Sequence, residues 1–183
     1  MYFQTEQLKL RPFESGDTLA LQAYLNHPML SGRRYIPRGF PEVVPLSTQD
    51  VEAIIKKWGE EEDQAHLAIV SSDKQELIGH AEFAWNWDPH TSWVSVVIAR
   101  PSQRQGHGSQ VLNLLLEYLF ENTPAHNVSS WMADWNQEAR AFAKKNGFKE
   151  NGHSRREGLH EGKYYDGILV DILRPEWQTI KKG

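Results

Sequence analysis

The feature that most constrains this chain is a change of periodicity around residue 100. Trp93-Val94-Ser95-Val96-Val97-Ile98-Ala99 is an apolar, β-branched run and reads as a strand. Val111-Leu112-Asn113-Leu114-Leu115-Leu116-Glu117-Tyr118-Leu119-Phe120 reads as a helix. Between them lies Gln103-Arg104-Gln105-Gly106-His107-Gly108-Ser109. A strand that enters a helix through a glycine-bearing turn presents open N–H groups in one direction, and the helix dipole adds partial positive charge there. Gly106 and Gly108 let the backbone approach a pyrophosphate without a Cβ in the way. Arg104 and His107 add side-chain donors. The same Gly-x-Gly also serves elsewhere as a plain tight connection. Two phosphate motifs are excluded. The dinucleotide fingerprint needs a third glycine where this chain has Val111, and no Gly-Lys-Ser/Thr follows to make a Walker A loop.

The 183 residues suit one domain over 1–183 with a substantial core. A formal net charge of −4 lacks the basic footprint of a nucleic-acid binder. The absence of cysteine excludes disulfides, thiolate metal sites and a cysteine nucleophile. No apolar run reaches the length of a membrane span, and Met1-Tyr2-Phe3-Gln4 does not read as a signal peptide. The expectation is a cytoplasmic protein that binds neither nucleic acid nor membrane. The histidines show no His-Glu-x-x-His or comparable ligand spacing, so no metal is expected.

Along the chain, Leu8 and Leu10 alternate with Lys9 and Arg11, as in a half-buried strand. A helix follows from Thr18 to about Asn26. The stretch from His27 to Pro45 reads as a loop with four prolines. Ser47-Thr48-Gln49-Asp50 is a capping-box pattern opening a helix with Val51, Ile54, Ile55 and Trp58 on one face. The acidic run Glu60-Glu61-Glu62-Asp63 reads as a solvated surface. Strands are expected at His66 to Val70, Glu76 to about Trp87, Ser92 to Ala99 and Val128 to Ala133, with a helix from Gln110 to Glu121. Asn136 is a good N-cap for a helix ending at Asn146-Gly147. Phe148-Lys149-Glu150 and Lys163 to Leu173 close the fold. The order β-α-α-β-β-β-α-β-α-β-β predicts an α/β (α+β) chain with a mixed sheet and helices on its faces.

The spacing Gln-x-x-Gly-x-Gly at Gln103 to Gly108 resembles the acyl-CoA signature of the GNAT superfamily of N-acyltransferases. Thr5 to Phe13 looks like that family's first strand, and Leu77-Ile78-Gly79-His80-Ala81-Glu82-Phe83 like its central hairpin strand. Asn136 to Phe148, with its Gly-Phe ending, looks like the second CoA-side helix. Gly162 to Trp177 looks like the C-terminal strand of the branch that acetylates ribosomal-protein N-termini and polyamines. The resemblance implies a mostly antiparallel sheet with two splayed parallel strands. It implies an N-acetyltransferase that moves an acetyl group from acetyl-CoA directly to a primary amine of a small molecule or a peptide N-terminus. A homodimer is compatible with it. Two alternatives use the same turn: a non-catalytic CoA-binding sensor or structural module, and a protein that holds a different nucleotide.

The resemblance also assigns residues. Gln103, Arg104, Gln105, Gly106, His107, Gly108 and Ser109 would hold the CoA pyrophosphate, and the strand edge at Val96, Val97 and Ile98 the pantetheine. Asn136 matches an asparagine near the CoA arm and is also a plain helix cap. Phe142 matches an apolar position on CoA and is core-like by spacing. Where the family often has a tyrosine acting as general acid, this chain has Ala143. Tyr164 or Tyr165 is the alternative, Tyr164 being the one taken here. The strand before the turn carries no carboxylate, so Glu82 is the candidate base, shared with His80 on one face if Ala81 and Phe83 take the other. A half-buried carboxylate with a raised pKa would accept a proton; an ordinary strand glutamate would do nothing. The acceptor should meet the loop holding Arg33, Arg34 and Tyr35, the segment around Arg155 to His160, and Asp166. The loop arginines suit an acceptor bearing a carboxylate or phosphate and argue mildly against a naked polyamine; the alternative is that they are solvated loop charges or bind the 3′-phosphate of CoA.

Overall fold

The computed structural model describes residues 3–27 and 45–182. Arg33, Arg34 and Tyr35 lie outside the described residues. The elements are β1 (Leu8–Pro12), α1 (Thr18–Leu25), α2 (Thr48–Glu60), β2 (Gln64–Ser71), β3 (Leu77–Trp85), β4 (Thr91–Ile98), α3 (His107–Asn122), β5 (Asn127–Ala133), α4 (Gln137–Lys145), β6 (Lys149–His160), β7 (Lys163–Leu173) and α5 (Arg174–Lys182). The hydrogen-bonded strand order is β1-β2-β3-β4-β5-β7-β6. The fold is mixed α/β, mostly antiparallel, with β4 and β5 as the parallel pair. Two compact units divide the chain: Met1–Ala84 with Ser95–Leu115, and Trp85–Val94 with Leu116–Gly183.

In the first unit, β1 and β2 pair antiparallel with Leu10 opposite Ile69, and β2 and β3 with His66 opposite Glu82. α2 starts where the sequence places it. Ser47 accepts the Asp50 N–H, and Asp50 returns the bond to the Ser47 N–H at 2.9 Å. Such a cap stabilises a helix by about 1 kcal/mol. The apolar faces of both helices meet in one core of Leu21, Tyr24 and Leu25 with Val51, Ile54 and Trp58, closed by Val97 of β4 and by Ala99 just after it. Phe13 lays its ring 5.0 Å from that of Trp58. Gly79 lets β3 come close to β4, because a Cβ there would meet the Val97 carbonyl oxygen at 2.2 Å.

In the second unit, the parallel ladder runs from Thr91–Asn127 to Trp93–Ser129. At the next step a side chain takes over from the backbone: the Ser130 hydroxyl donates to the Val94 carbonyl at 2.8 Å. β5 pairs along its whole length with the Gly167 to Leu173 half of β7, with Val128, Met132, Ile168, Val170 and Ile172 buried. Asn136 caps α4 by accepting the Ala139 N–H, and Gly147 ends the run in a left-handed conformation at φ +88°.

Three expectations are corrected. α3 begins at His107, not Gln110, so the end of the glycine turn is the helix's own first turn. β6 is twelve residues long and reaches His160. The segment read as an acceptor-side stretch is therefore a strand; it is exposed almost throughout, so no apolar alternation marks it. The strand expected from Lys163 to Leu173 is observed with those bounds, and only the end of the Gly162 to Trp177 motif departs, turning into α5. Pro175 fits its first turn, Glu176 and Lys181 and Lys182 complement the dipole, and Trp177 is buried 5.4 Å from the Phe120 ring.

Candidate functional site

The turn before α3 is built to expose amides. Arg104 has φ +63° and Gly106 φ +85°, with Gln105 between them on the ordinary side. Alternation of this kind turns successive N–H groups toward one concave side, which suits an anion. Gly106 then closes the first helical bond, its carbonyl accepting the Gln110 N–H at 3.1 Å. The amides of His107, Gly108 and Ser109 have no carbonyl one turn back to bind. A Cβ on Gly106 would meet nothing within 4 Å, so that side is open.

Side chains brace the loop. Gln103 donates to the Ile98 carbonyl at 2.8 Å and accepts from Arg100 at 2.9 Å, tying the turn to the end of β4. His107 Nδ1 lies 3.1 Å from the Ser102 carbonyl, so Nδ1 carries the proton. Val97 is buried, and its neighbours Val96 and Ile98 are half-buried.

Glu82 is not the half-buried carboxylate expected from the sequence. It is 3% exposed, and His80 on the same face is 1% exposed. Three further side chains enclose the pair. The Tyr24 hydroxyl lies 2.7 Å from His80 Nδ1. Burial first, then the negative charges of Glu82 and Asp17, push the Tyr24 pKa well up. The phenol therefore keeps its proton and donates it to Nδ1. Burial pushes the His80 pKa down, with Glu82 opposing and His66 reinforcing. Neutral His80 thus carries its proton on Nε2, 3.7 Å from Glu82 Oε1.

On the other side, His66 Nδ1 lies 3.5 Å from the same oxygen, and His66 Nε2 lies 2.5 Å from Glu61 Oε2. Burial alone would lower the His66 pKa, but Glu82 and Glu61 outweigh it and the pKa is raised. Trp58 stacks on the His66 ring at 4.8 Å. His66 Nδ1, His80 Nε2 and Glu82 Oε1 are all buried without a hydrogen bond. One carboxylate oxygen is thus flanked by two imidazoles, at 3.5 and 3.7 Å. Among the described residues no group of three His, Asp or Glu has a metal-binding arrangement.

In the second unit, Phe142 is half-buried on α4 and Asn136 is its cap. Tyr164 is exposed on β7 with the Arg156 guanidinium 5.6 Å above its ring, while Tyr165 is buried edge-on to Trp135. Asp166 accepts the Arg156 N–H at 2.8 Å. The sequence reading missed His66, Tyr24 and Glu61. His66 was legible only through the register that places it opposite Glu82. Glu61 belongs to an acidic run whose pattern predicts a solvated surface, yet it holds that histidine.

The profile described as the acetyltransferase (GNAT) domain matches residues 7–149. The chain belongs to this family and is an N-acetyltransferase. The uncharacterized N-acetyltransferase YnaD of Bacillus subtilis (strain 168) is 24% identical over 177 residues, covering 97% of this chain and 99% of that protein. A GNAT-family acetyltransferase of Bacillus anthracis superposes with a TM-score of 0.79 at 20% identity, covering 96% and 99% of the two chains. The spermidine N-acetyltransferase of Vibrio cholerae, solved with CoA and spermine, superposes with a TM-score of 0.76 at 22% identity, covering 95% and 99%.

Proposed function

We propose that this enzyme binds acetyl-CoA at the turn from Gln103 to Ser109 and transfers its acetyl group directly to a primary amine. The observation that carries this reading is the pair of left-handed residues, Arg104 and Gly106, that leaves three α3 amides open. These amides and the Arg104 guanidinium take the pyrophosphate. The pantetheine lies along Val96, Val97 and Ile98; in the second unit, Asn136 and Phe142 are the positions that the resemblance assigns to the CoA arm.

An ammonium cannot attack a thioester until it loses a proton. Glu82 accepts that proton. The freed amine adds to the thioester carbonyl, and the tetrahedral adduct breaks its C–S bond and gives up its second N–H proton to water, leaving an amide and a CoA thiolate. Tyr164 or water returns a proton to the thiolate. Without a cysteine there is no thiol to carry the acetyl group, which favours a single transfer step. The resemblance assigns the acceptor to Arg33, Arg34, Tyr35 and Asp166, of which only Asp166 lies among the described residues. Arginines in that loop of the sequence suit an amine that also bears an acidic group better than a bare polyamine.

The test is free-thiol release from acetyl-CoA across a panel of amino acids, N-terminal peptides, amino sugars, aminoglycosides and polyamines. Release that depends on one amine class establishes the acceptor. Tight CoA binding with no release across the panel would overturn direct transfer to an amine of these classes.

A further inference from the structure

The β6–β7 hairpin carries an irregularity that acetyl transfer by itself does not require. From Ser154 to Gly158 the edge strand advances four residues, while its partner advances two, from Gly167 to Tyr165. Two extra residues therefore bulge from β6 opposite Asp166. Arg156 sits in this bulge at φ +51°, a left-handed conformation unfavourable for a side chain with a Cβ. Asp166 Oδ1 holds it there through the Arg156 N–H. Gly158 closes the bulge, because a Cβ there would meet the Tyr165 ring and hydroxyl.

Neighbouring residues on a regular strand point to opposite faces. Here Arg155 and Arg156 both line one pocket of about 740 Å³, with Asp166. The two carboxylates beside the arginines each accept a hydrogen bond, Asp166 within the pocket lining. Asp166 holds the Arg156 backbone, and Glu157 Oε2 accepts the Trp131 indole N–H at 2.8 Å. Arg156 is ordered over the Tyr164 ring at 5.6 Å. Two adjacent guanidiniums brought to one pocket by a strained bulge make a fork for an oxyanion.

We propose that this pocket is an anion subsite for the acceptor, in which Arg155 and Arg156 grip a carboxylate or phosphate carried by the amine substrate. The role as an acceptor subsite rests on the transferase reading above; the anion site itself does not. The acceptor class is thereby narrowed to amines with a second, anionic group.

The kinetic test compares kcat/KM within two matched pairs, alanine against alaninamide and glucosamine 6-phosphate against glucosamine. The anionic member is favoured at least about tenfold in one pair, and that pair tells carboxylate from phosphate. The ratio falls to near one in Arg155→Gln/Arg156→Gln. Equal values within both pairs, or a ratio the double variant leaves intact, overturns the proposal.

A binding test needs no turnover. Succinate and inorganic phosphate are titrated into labelled protein while the amide signals of Arg155 and Arg156 are followed by NMR. Saturable shifts that the double variant loses support the subsite. Silence with both anions overturns it, even if amines are acetylated. Shifts with no amine acetylated leave the anion site standing and count against the transferase reading instead.

Discussion

His66 and Glu82 face each other as a registered cross-strand pair on β2 and β3, with Nδ1 3.5 Å from Oε1. The period of two that sends Leu67 and Ala81 to one side of the sheet sends this pair to the other, where α1 and α2 supply Tyr24 and Trp58. A buried carboxylate is costly without partners. Here it is matched by one histidine with a raised pKa and one with a lowered pKa.

These opposite shifts set a pH optimum of stability. His66 binds a proton more tightly folded than unfolded, so its contribution is full below about 6.5 and is lost as pH rises through its raised folded pKa. His80 binds a proton less tightly folded, so it destabilises progressively as pH falls below about 6.5 toward its lowered pKa. The facing groups are Glu61, Glu82 and Tyr24. Unfolding free energy from urea titrations between pH 5 and 9 should peak near 6.5. His66→Gln should flatten the alkaline side. An unchanged alkaline side in that variant would show that His66 is not held charged.

Glu82→Gln tests the base. Loss of a general base costs roughly 100-fold in kcat, while the KM for acetyl-CoA should change little because the turn at Gln103 is untouched. Glu61→Gln removes one of the two carboxylates that raise the His66 pKa. Its His66 ring signals should therefore titrate at lower pH by NMR. Retention of full kcat in Glu82→Gln would assign the proton to another acceptor.

What the sequence revealed depended on whether local pattern or tertiary register decided the outcome. Ser47 to Asp50, Asn136 and Gly147 are local devices, and each does what its spacing predicts. The turn at Gly106 was visible for the same reason. β6 was not, because it is an exposed edge strand with no buried face to impose alternation. His66 and Glu61 were invisible because their roles arise from the β2–β3 register and from the helix end that meets it. The pairing of Arg155 with Arg156 needed the bulge, and the bulge depends on a bond from Asp166 ten residues away.

Gly106→Asn tests the CoA turn. A left-handed φ of +85° is tolerated best by glycine and next by asparagine, so stability should fall by about 1 kcal/mol. The new Cβ enters space that is otherwise open, so the core is undisturbed. If a pyrophosphate approaches this backbone, the Kd for CoA measured by calorimetry should rise at least about tenfold. A folded variant with unchanged Kd would place the pyrophosphate elsewhere.

Arg156→Gly separates stability from selectivity at the hairpin. Relief of the left-handed strain is worth about 1 to 2 kcal/mol, and glycine loses about 0.5 to 1 kcal/mol of it through a freer unfolded chain. The variant should therefore be more stable by about 0.5 to 1 kcal/mol, read as a higher urea midpoint at constant slope. Asp166→Ala should move the other way by about 1 to 2 kcal/mol and speed hydrogen exchange at the Arg156 amide, since it removes the acceptor that pins the bulge. A residue retained at a stability cost is expected where function needs its position. If Arg156→Gly instead destabilised the protein, the guanidinium over Tyr164 would be holding the hairpin together, and the bulge would need no ligand to account for it.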